Sequence, residues 1–314
     1  MRLATARLAI ARIAMAAIAL SAASPLLADA PSVVTDIAPV QSLVAQVMGE
    51  TGTPVLLVAQ GADPHDYQLR PSEARALATA DVIFWIGPEM TPWLERALAT
   101  ARADAPLALL TTPGTRLRGF PGKGAAAEDH PNDGHDHDHT GADPHAWLDP
   151  ANARAWIAAI RDRLSAADPS HAADYERNAA DAMARLTALE DEIGATLRAA
   201  RGKPLIMGHD AYGYLADAFD LTVAASLAEG DAASPGAQHV SEVSKIARAA
   251  PNGCIFPEAG HDPAPAGQIA TDTGMRLGAA LDPEGLLLAP GAGLYDQLMR
   301  ALASTIVGCL ASGG

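Results

Sequence analysis

The chain has 314 residues, of which 49% are hydrophobic, with 37 acidic against 22 basic side chains and a formal charge of −15 at pH 7. Such an acidic balance excludes a nucleic-acid binder, whose surface must neutralise phosphates. It favours solubility and attracts cations weakly, as any acidic surface does. Residues 1–30 have the pattern of an export signal: Arg2, Arg7 and Arg12, then the uncharged, mostly apolar run Ile13–Ala23, then Ala28-Asp29-Ala30 as a cleavage signal. The run is shorter than the roughly 20 apolar residues that span a bilayer. Arg12 argues against a buried helix there, and no cysteine near the cut offers a lipid anchor. Cleavage after Ala30 leaves 19 basic and 36 acidic residues, a balance of −17.

Residues 31–314 have the length of two ordinary domains. Strands are expected at Ser32–Ile37, Val55–Val58, Asp81–Ile86 and Leu107–Thr111, alternating with helices at Val40–Met48, Ser72–Thr79, Thr91–Thr100 and Ala151–Ala166. This alternation predicts a mostly parallel sheet with helices on both faces. From His171 to Ala200 there is no proline and one glycine, Gly194, while Leu186, Leu189, Ile193 and Leu197 recur at helical spacing. Such a stretch is a rigid connector between two lobes, or two shorter helices broken near Gly194. A second alternating block follows, with strands Pro204–Met207, Thr222–Ser226, Cys254–Phe256 and Met275–Ala280 and helices Ala211–Phe219, Ser241–Ala249, Pro265–Thr273 and Tyr295–Cys309. The expected fold is therefore α/β: two lobes, each a mostly parallel sheet flanked by helices, bridged by one long helix. The divisions fall at 31–167, 168–201 and 202–314.

Inside the first block, between the strand Leu107–Thr111 and the helix Ala151–Ala166, lies an acidic, histidine-rich tract, Glu128–His139, carrying His130, His135, His137 and His139. Alternating His and Asp gain nothing from burial, so the tract is a solvated insert suited to weak binding of divalent metals. Its alternative is a passive solubilising loop. Three further histidines sit in turn-forming sequence: His65 in Gly61-Ala62-Asp63-Pro64-His65-Asp66-Tyr67, His145 in Asp143-Pro144-His145-Ala146-Trp147, and His209 in Gly208-His209-Asp210-Ala211-Tyr212. His65 and His209 follow strands, one in each lobe, where open α/β sheets bind ligands. Asp282, after the last strand, is a fourth candidate, because three imidazoles with a carboxylate or water make a tetrahedral zinc set. His171, His239 and His261 are read as hydrogen-bonded turn residues, the last two in loops rich in proline and glycine. Cys254 and Cys309 pair in an oxidising compartment or remain two buried thiols.

These segments resemble a family. Gly61–Ser72, Asp81–Met90, Asp143–Pro150 and Gly208–Tyr212 are similar to motifs of the periplasmic zinc and manganese binding proteins that feed ABC importers, over nearly all of the exported chain. The tract stands where zinc members carry a charged histidine loop, and the cysteines match the C-terminal disulfide of the zinc-uptake subgroup, ZnuA. The resemblance implies metal ligands His65, His145 and His209, with His209 favouring zinc over manganese because manganese members have glutamate at that position. It places Asp282 first and water second as completing the shell; the acidic residue that some zinc members carry just before the first histidine is Pro64 here. It implies a monomeric periplasmic protein, not an enzyme, that passes Zn2+ to a membrane permease with a cytoplasmic ATPase. A zinc chaperone is a further implied partner. The competing expectations are a manganese carrier, an exported zinc hydrolase with Asp66, Asp210 or Glu284 as its base, and a metal-dependent adhesin. No HExxH motif is present.

Overall fold

The computed structural model describes residues 30–120, 141–228 and 236–311. Residues 1–29 of the export segment lie outside these, as does the whole tract with His130, His135, His137 and His139. The first lobe runs β1 Val33–Thr35, α1 Ala38–Met48, β2 Val55–Leu56, α2 Pro71–Thr79, β3 Val82–Trp85, α3 Pro92–Leu98, β4 Leu107–Ala108 and α4 Pro150–Ala167. The connector α5 is Ala172–Leu197, flanked by 3-10 turns at Pro169–His171 and Arg198–Ala200. The second lobe runs β5 Pro204–His209, α6 Gly213–Phe219, β6 Thr222–Ala228, α7 Ala237–Ala249, β7 Cys254–Ile255, α8 Ala264–Thr273, β8 Arg276–Leu277 and α9 Leu294–Ala311.

All strand pairings within the two sheets are parallel, in the orders β2-β1-β3-β4 and β6-β5-β7-β8. The orders are equivalent, so the architectural repeat expected from the alternation is present. Each sheet has its switch point between its first and third strands, where the crevice beyond the strand ends opens. In the first lobe buried Asp36 closes that crevice, accepting bonds from Ile37 N and Ile86 N at 2.8 Å each. In the second lobe His209, the last residue of β5, occupies it.

Local chemistry sets the helix ends. Pro150 begins α4 and the Asp149 carboxylate accepts Ala151 N–H, an N-cap that satisfies an otherwise orphaned donor. Glu73 reaches back to Arg70 N–H at the start of α2. The α5 stripe Tyr175, Ala179, Ala182, Leu186, Leu189, Ile193 and Leu197 is buried and packs against α1, α4 and α9. No break occurs at Gly194, where a Cβ would lie 3.7 Å from the Phe219 ring. One continuous apolar core includes residues of both lobes and α5. The sequence Gln41, Ser42 and Gln46 in α1 looks too polar for this position, yet all three are buried. They bond the segment after β8: Ser42 and Gln46 donate to Ala292 O, and Gln41 accepts from Gly291 N–H.

Several expected elements are shorter. The strand expected to Thr111 gives way after Ala108 to a 3-10 turn at Leu109–Thr111. The strand expected over Met275–Ala280 ends at Leu277; Gly278 N–H still donates to Ile255 O at 2.8 Å, and the backbone there passes so close to Phe256 that a Cβ would fall 2.3 Å from its ring. Pairing resumes only at the isolated parallel bridge Glu258↔Leu281, which sets the loop after β7 beside the loop after β8. Helix α7 begins at Ala237, so His239 stands in its first turn and not in a loop; its Nε2 lies 2.8 Å from Ser226 O on β6. Cys254 on β7 and Cys309 on α9 form a disulfide with Cα atoms 6.4 Å apart. Among the described residues no helix is long and apolar enough to cross a membrane.

Candidate metal centre

Five loops or strand ends converge between the sheets. His65 lies in the loop after β2, His145 just before the 3-10 turn Ala146–Leu148, His209 at the end of β5, Glu258 beyond β7 and Glu284 beyond β8. Two of these turns repeat the sequence Asp-Pro-His. In each, the aspartate accepts the histidine backbone N–H two residues on, Asp63 to His65 at 2.8 Å and Asp143 to His145 at 3.0 Å. This is an Asx turn, with proline fixing φ at its centre. Trp93 Nε1 donates to Pro64 O at 2.8 Å, anchoring the residue before His65.

One donor atom from each of His65, His145, His209 and Glu284 lies within 4.8 Å of the others. The ring centroids are 5.7 Å apart for His65–His145, 6.4 Å for His65–His209 and 5.0 Å for His145–His209. His145 Nε2 is 3.2 Å from His209 Nε2 and 3.8 Å from Glu284 Oε1. Ligand atoms about 2.1 Å from a tetrahedral ion sit about 3.4 Å apart, so these separations bracket the zinc geometry.

A carboxylate stands beside the opposite ring nitrogen of both His145 and His209. His145 Nδ1 is 2.9 Å from Asp143 Oδ1, and His209 Nδ1 is 2.5 Å from Glu258 Oε1. A carboxylate at Nδ1 holds the proton there and leaves Nε2 as the acceptor. With both rings in that tautomer, the two Nε2 lone pairs, 3.2 Å apart, suit a cation placed between them. Asp143 is itself buried and held by Arg118, whose Nη1 is 3.4 Å away; burial raises its carboxyl to about 7 against the pull of the His145 N–H and Arg118. Glu258 Oε2 also accepts from Tyr212 OH at 3.2 Å. Gly208 permits this packing, since a Cβ there would lie 2.9 Å from Glu258 Cβ.

Burial pushes His65 down to about 3, helped by the neighbouring His145 and His209. It pushes Glu284 well above the carboxylate range, with the charge of Glu258 adding to the effect. A bound dication reverses both costs, because it needs neutral imidazoles and an ionised carboxylate.

Asp282, the fourth candidate from sequence, is not in this group. Its two oxygens accept Leu286 N–H at 2.8 Å and Leu287 N–H at 2.9 Å, bracing the turn that presents Glu284. Trp147 Nε1 donates to Pro283 O at 2.8 Å and steadies the same turn. Glu258 and Asp143 escaped the sequence reading as site residues, and Glu284 entered it only as a possible base of the hydrolase alternative. A strand-end signal was available for Glu258, just beyond β7, whereas Glu284 lies past the bridge at Leu281 and shares its turn with Asp282. His171 belongs to a separate helix-start network with Asp168 and Ser170, whereas His261 stacks on His209 at 6.1 Å.

The sequence model of a family described as ZnuA, zinc-uptake complex component A, periplasmic, matches residues 33–309. The chain belongs to the ZnuA family. Among ZnuA relatives, the high-affinity zinc uptake system protein ZnuA of Paracoccus denitrificans (strain Pd 1222) is 43% identical over 308 residues, covering 92% of this chain and 94% of that protein. The protein of the same name from Brucella abortus (strain 2308) is 34% identical over 320 residues, covering 91% and 94%. A solved ZnuA crystal structure aligns with a TM-score of 0.74 at 23% identity, covering 90% of this chain and 99% of that one. The two-lobe fold with a long connecting helix is thus the ZnuA fold.

Proposed function

We propose that this chain captures Zn2+ after export and delivers it to an ABC-type importer, gripping the ion with His65, His145, His209 and Glu284. The convergence of these four donors within 4.8 Å carries the reading. Three imidazoles and one carboxylate suit zinc, whereas manganese prefers oxygen-rich sets. Four protein donors fill a tetrahedron, and a catalytic zinc keeps a position open for water. The site therefore favours carriage over hydrolysis.

In this reading residues 1–30 direct export to the periplasm. The mature chain works as a monomer built of the units 31–167, 168–201 and 202–314. Its partners are a membrane permease with a cytoplasmic ATPase and a periplasmic zinc chaperone. His130, His135, His137 and His139 form an auxiliary weak site that gathers zinc near the cleft. Release proceeds by movement of the 281–293 segment more than by wide rotation of the lobes. The continuous core and α5 oppose rotation, while Glu284 stands on a loop without helix or strand.

The test is metal content and competition titration of the exported chain beside His65→Ala, His145→Ala and His209→Ala. Wild type is expected to hold one tight zinc, each variant to bind it far more weakly, and deletion of Glu128–His139 to spare the tight site. Loss of tight zinc on that deletion, with retention in the three alanine variants, would overturn the assignment.

A further inference from the structure

His261 is exposed, and its ring is stacked on that of His209 at 6.1 Å between centroids and 17° between planes. It is no farther from His209 than His65 is, at 6.4 Å. Yet it is absent from the group of four whose donor atoms converge. The turn Glu258-Ala259-Gly260-His261 builds this placement. His261 N–H donates to Glu258 O at 3.3 Å, and Gly260 adopts φ +84°, a conformation that glycine tolerates. A Cβ on Gly260 would lie 3.1 Å from Leu286 Cδ1, so the turn abuts the loop that presents Glu284. One tight turn thus carries both the carboxylate that orients His209 and an exposed imidazole on the outer side of the same ring.

We propose that His261 is a transfer ligand: it binds the incoming zinc together with one inner donor, then yields it to the buried set, and reverses this on release. The proposal rests on the zinc-carrier reading above. A strongly hydrated dication must shed water before it meets three buried side chains, and stepwise exchange of water for imidazole lowers that barrier. An exposed side chain reorients in picoseconds to nanoseconds, fast enough to follow the ion. Because His261 leaves the final shell, it changes the height of the barrier and not the depth of the well. Association and dissociation are therefore accelerated by the same factor.

Stopped-flow zinc uptake, and release to a chromophoric chelator, test this on the full exported chain. The same measurements are made with His130, His135, His137 and His139 replaced by alanine, so that the tract cannot substitute. In that background His261→Ala is expected to slow both rates by about tenfold, equivalent to about 1.4 kcal/mol of barrier, with Kd unchanged. His261→Phe, which keeps the stacked ring without a ligating nitrogen, is expected to be equally slow. Unchanged rates in His261→Ala overturn the proposal. So does faster release with weaker binding, which marks a packing role, and so do normal rates in His261→Phe, which mark stacking alone. Failure of the carrier reading itself is distinct: the parent chain then holds no tight zinc.

Discussion

Replacing Glu258 isolates what the outer carboxylate contributes to zinc affinity. Glu258 is buried at 4% exposure, with Oε1 2.5 Å from His209 Nδ1 and Oε2 accepting from Tyr212 OH. Glu258→Gln keeps shape and an acceptor but removes the negative charge that strengthens His209 as a donor to zinc. Glu258→Ala also removes the acceptor, leaving His209 free to turn. Outer-shell partners of metal-bound histidines contribute about 10- to 100-fold in affinity, or about 1.4–2.7 kcal/mol. Glu258→Gln is expected near the lower figure and Glu258→Ala near the upper. Competition with a chromophoric chelator at constant pH reads both. The alanine variant also loses thermal stability, because Tyr212 OH keeps no carboxylate partner in a buried setting. If neither variant changes zinc Kd beyond about twofold, a fraction of the smallest effect expected of an outer-shell partner, Glu258 does not orient His209.

Three further outcomes follow from the same geometry. Asp282→Asn is expected to weaken zinc less than Glu284→Gln, because Asp282 braces two backbone N–H groups while Glu284 supplies a donor; the reverse order in the same titration returns Asp282 to the shell. Opening the Cys254–Cys309 bridge, which closes a separation of 55 residues, is expected to cost about 4 kcal/mol of folding stability by chain entropy; denaturant midpoints of the double serine variant check this, with zinc stoichiometry unaltered. The folded chain holds His65 at about 3, below its ordinary 6.5. Between those values the unfolded chain carries a proton that the folded one lacks. The stability linked to His65 is thus complete above pH 6.5 and is lost as pH falls toward 3, at up to about 1.4 kcal/mol per pH unit. Zinc-free His65→Ala is therefore expected to lose less stability than zinc-free wild type on acidification from about pH 6.5 to about 4; parallel stability curves contradict this.

The fold was legible because its signals are local. Strand–helix alternation, the α5 stripe and the Asp149-Pro150 helix start each act within a few residues. The three histidines were also legible, since they sit in turn chemistry beside strand ends. Glu284 was not legible as a ligand, because Asp282, two residues earlier in the same turn, has the same charge. Only the three-dimensional turn decides which carboxylate caps backbone and which faces the imidazoles. His261 was hidden for a different reason. Its proximity to His209 depends on β7 lying beside β5, a long-range pairing that leaves no periodic trace. The close approach of Gly278 to Phe256 beside the short β8 is likewise a long-range contact, which no propensity encodes.

X-ray absorption at the zinc edge of the loaded chain, wild type beside Glu284→Gln and each histidine variant, tests the four-donor centre most directly. The account predicts a four-coordinate shell of three nitrogens and one oxygen at about 2.0–2.1 Å, with one scatterer of the right type replaced in each variant. A shell unchanged by substitution at His65, His145 or His209 would contradict it.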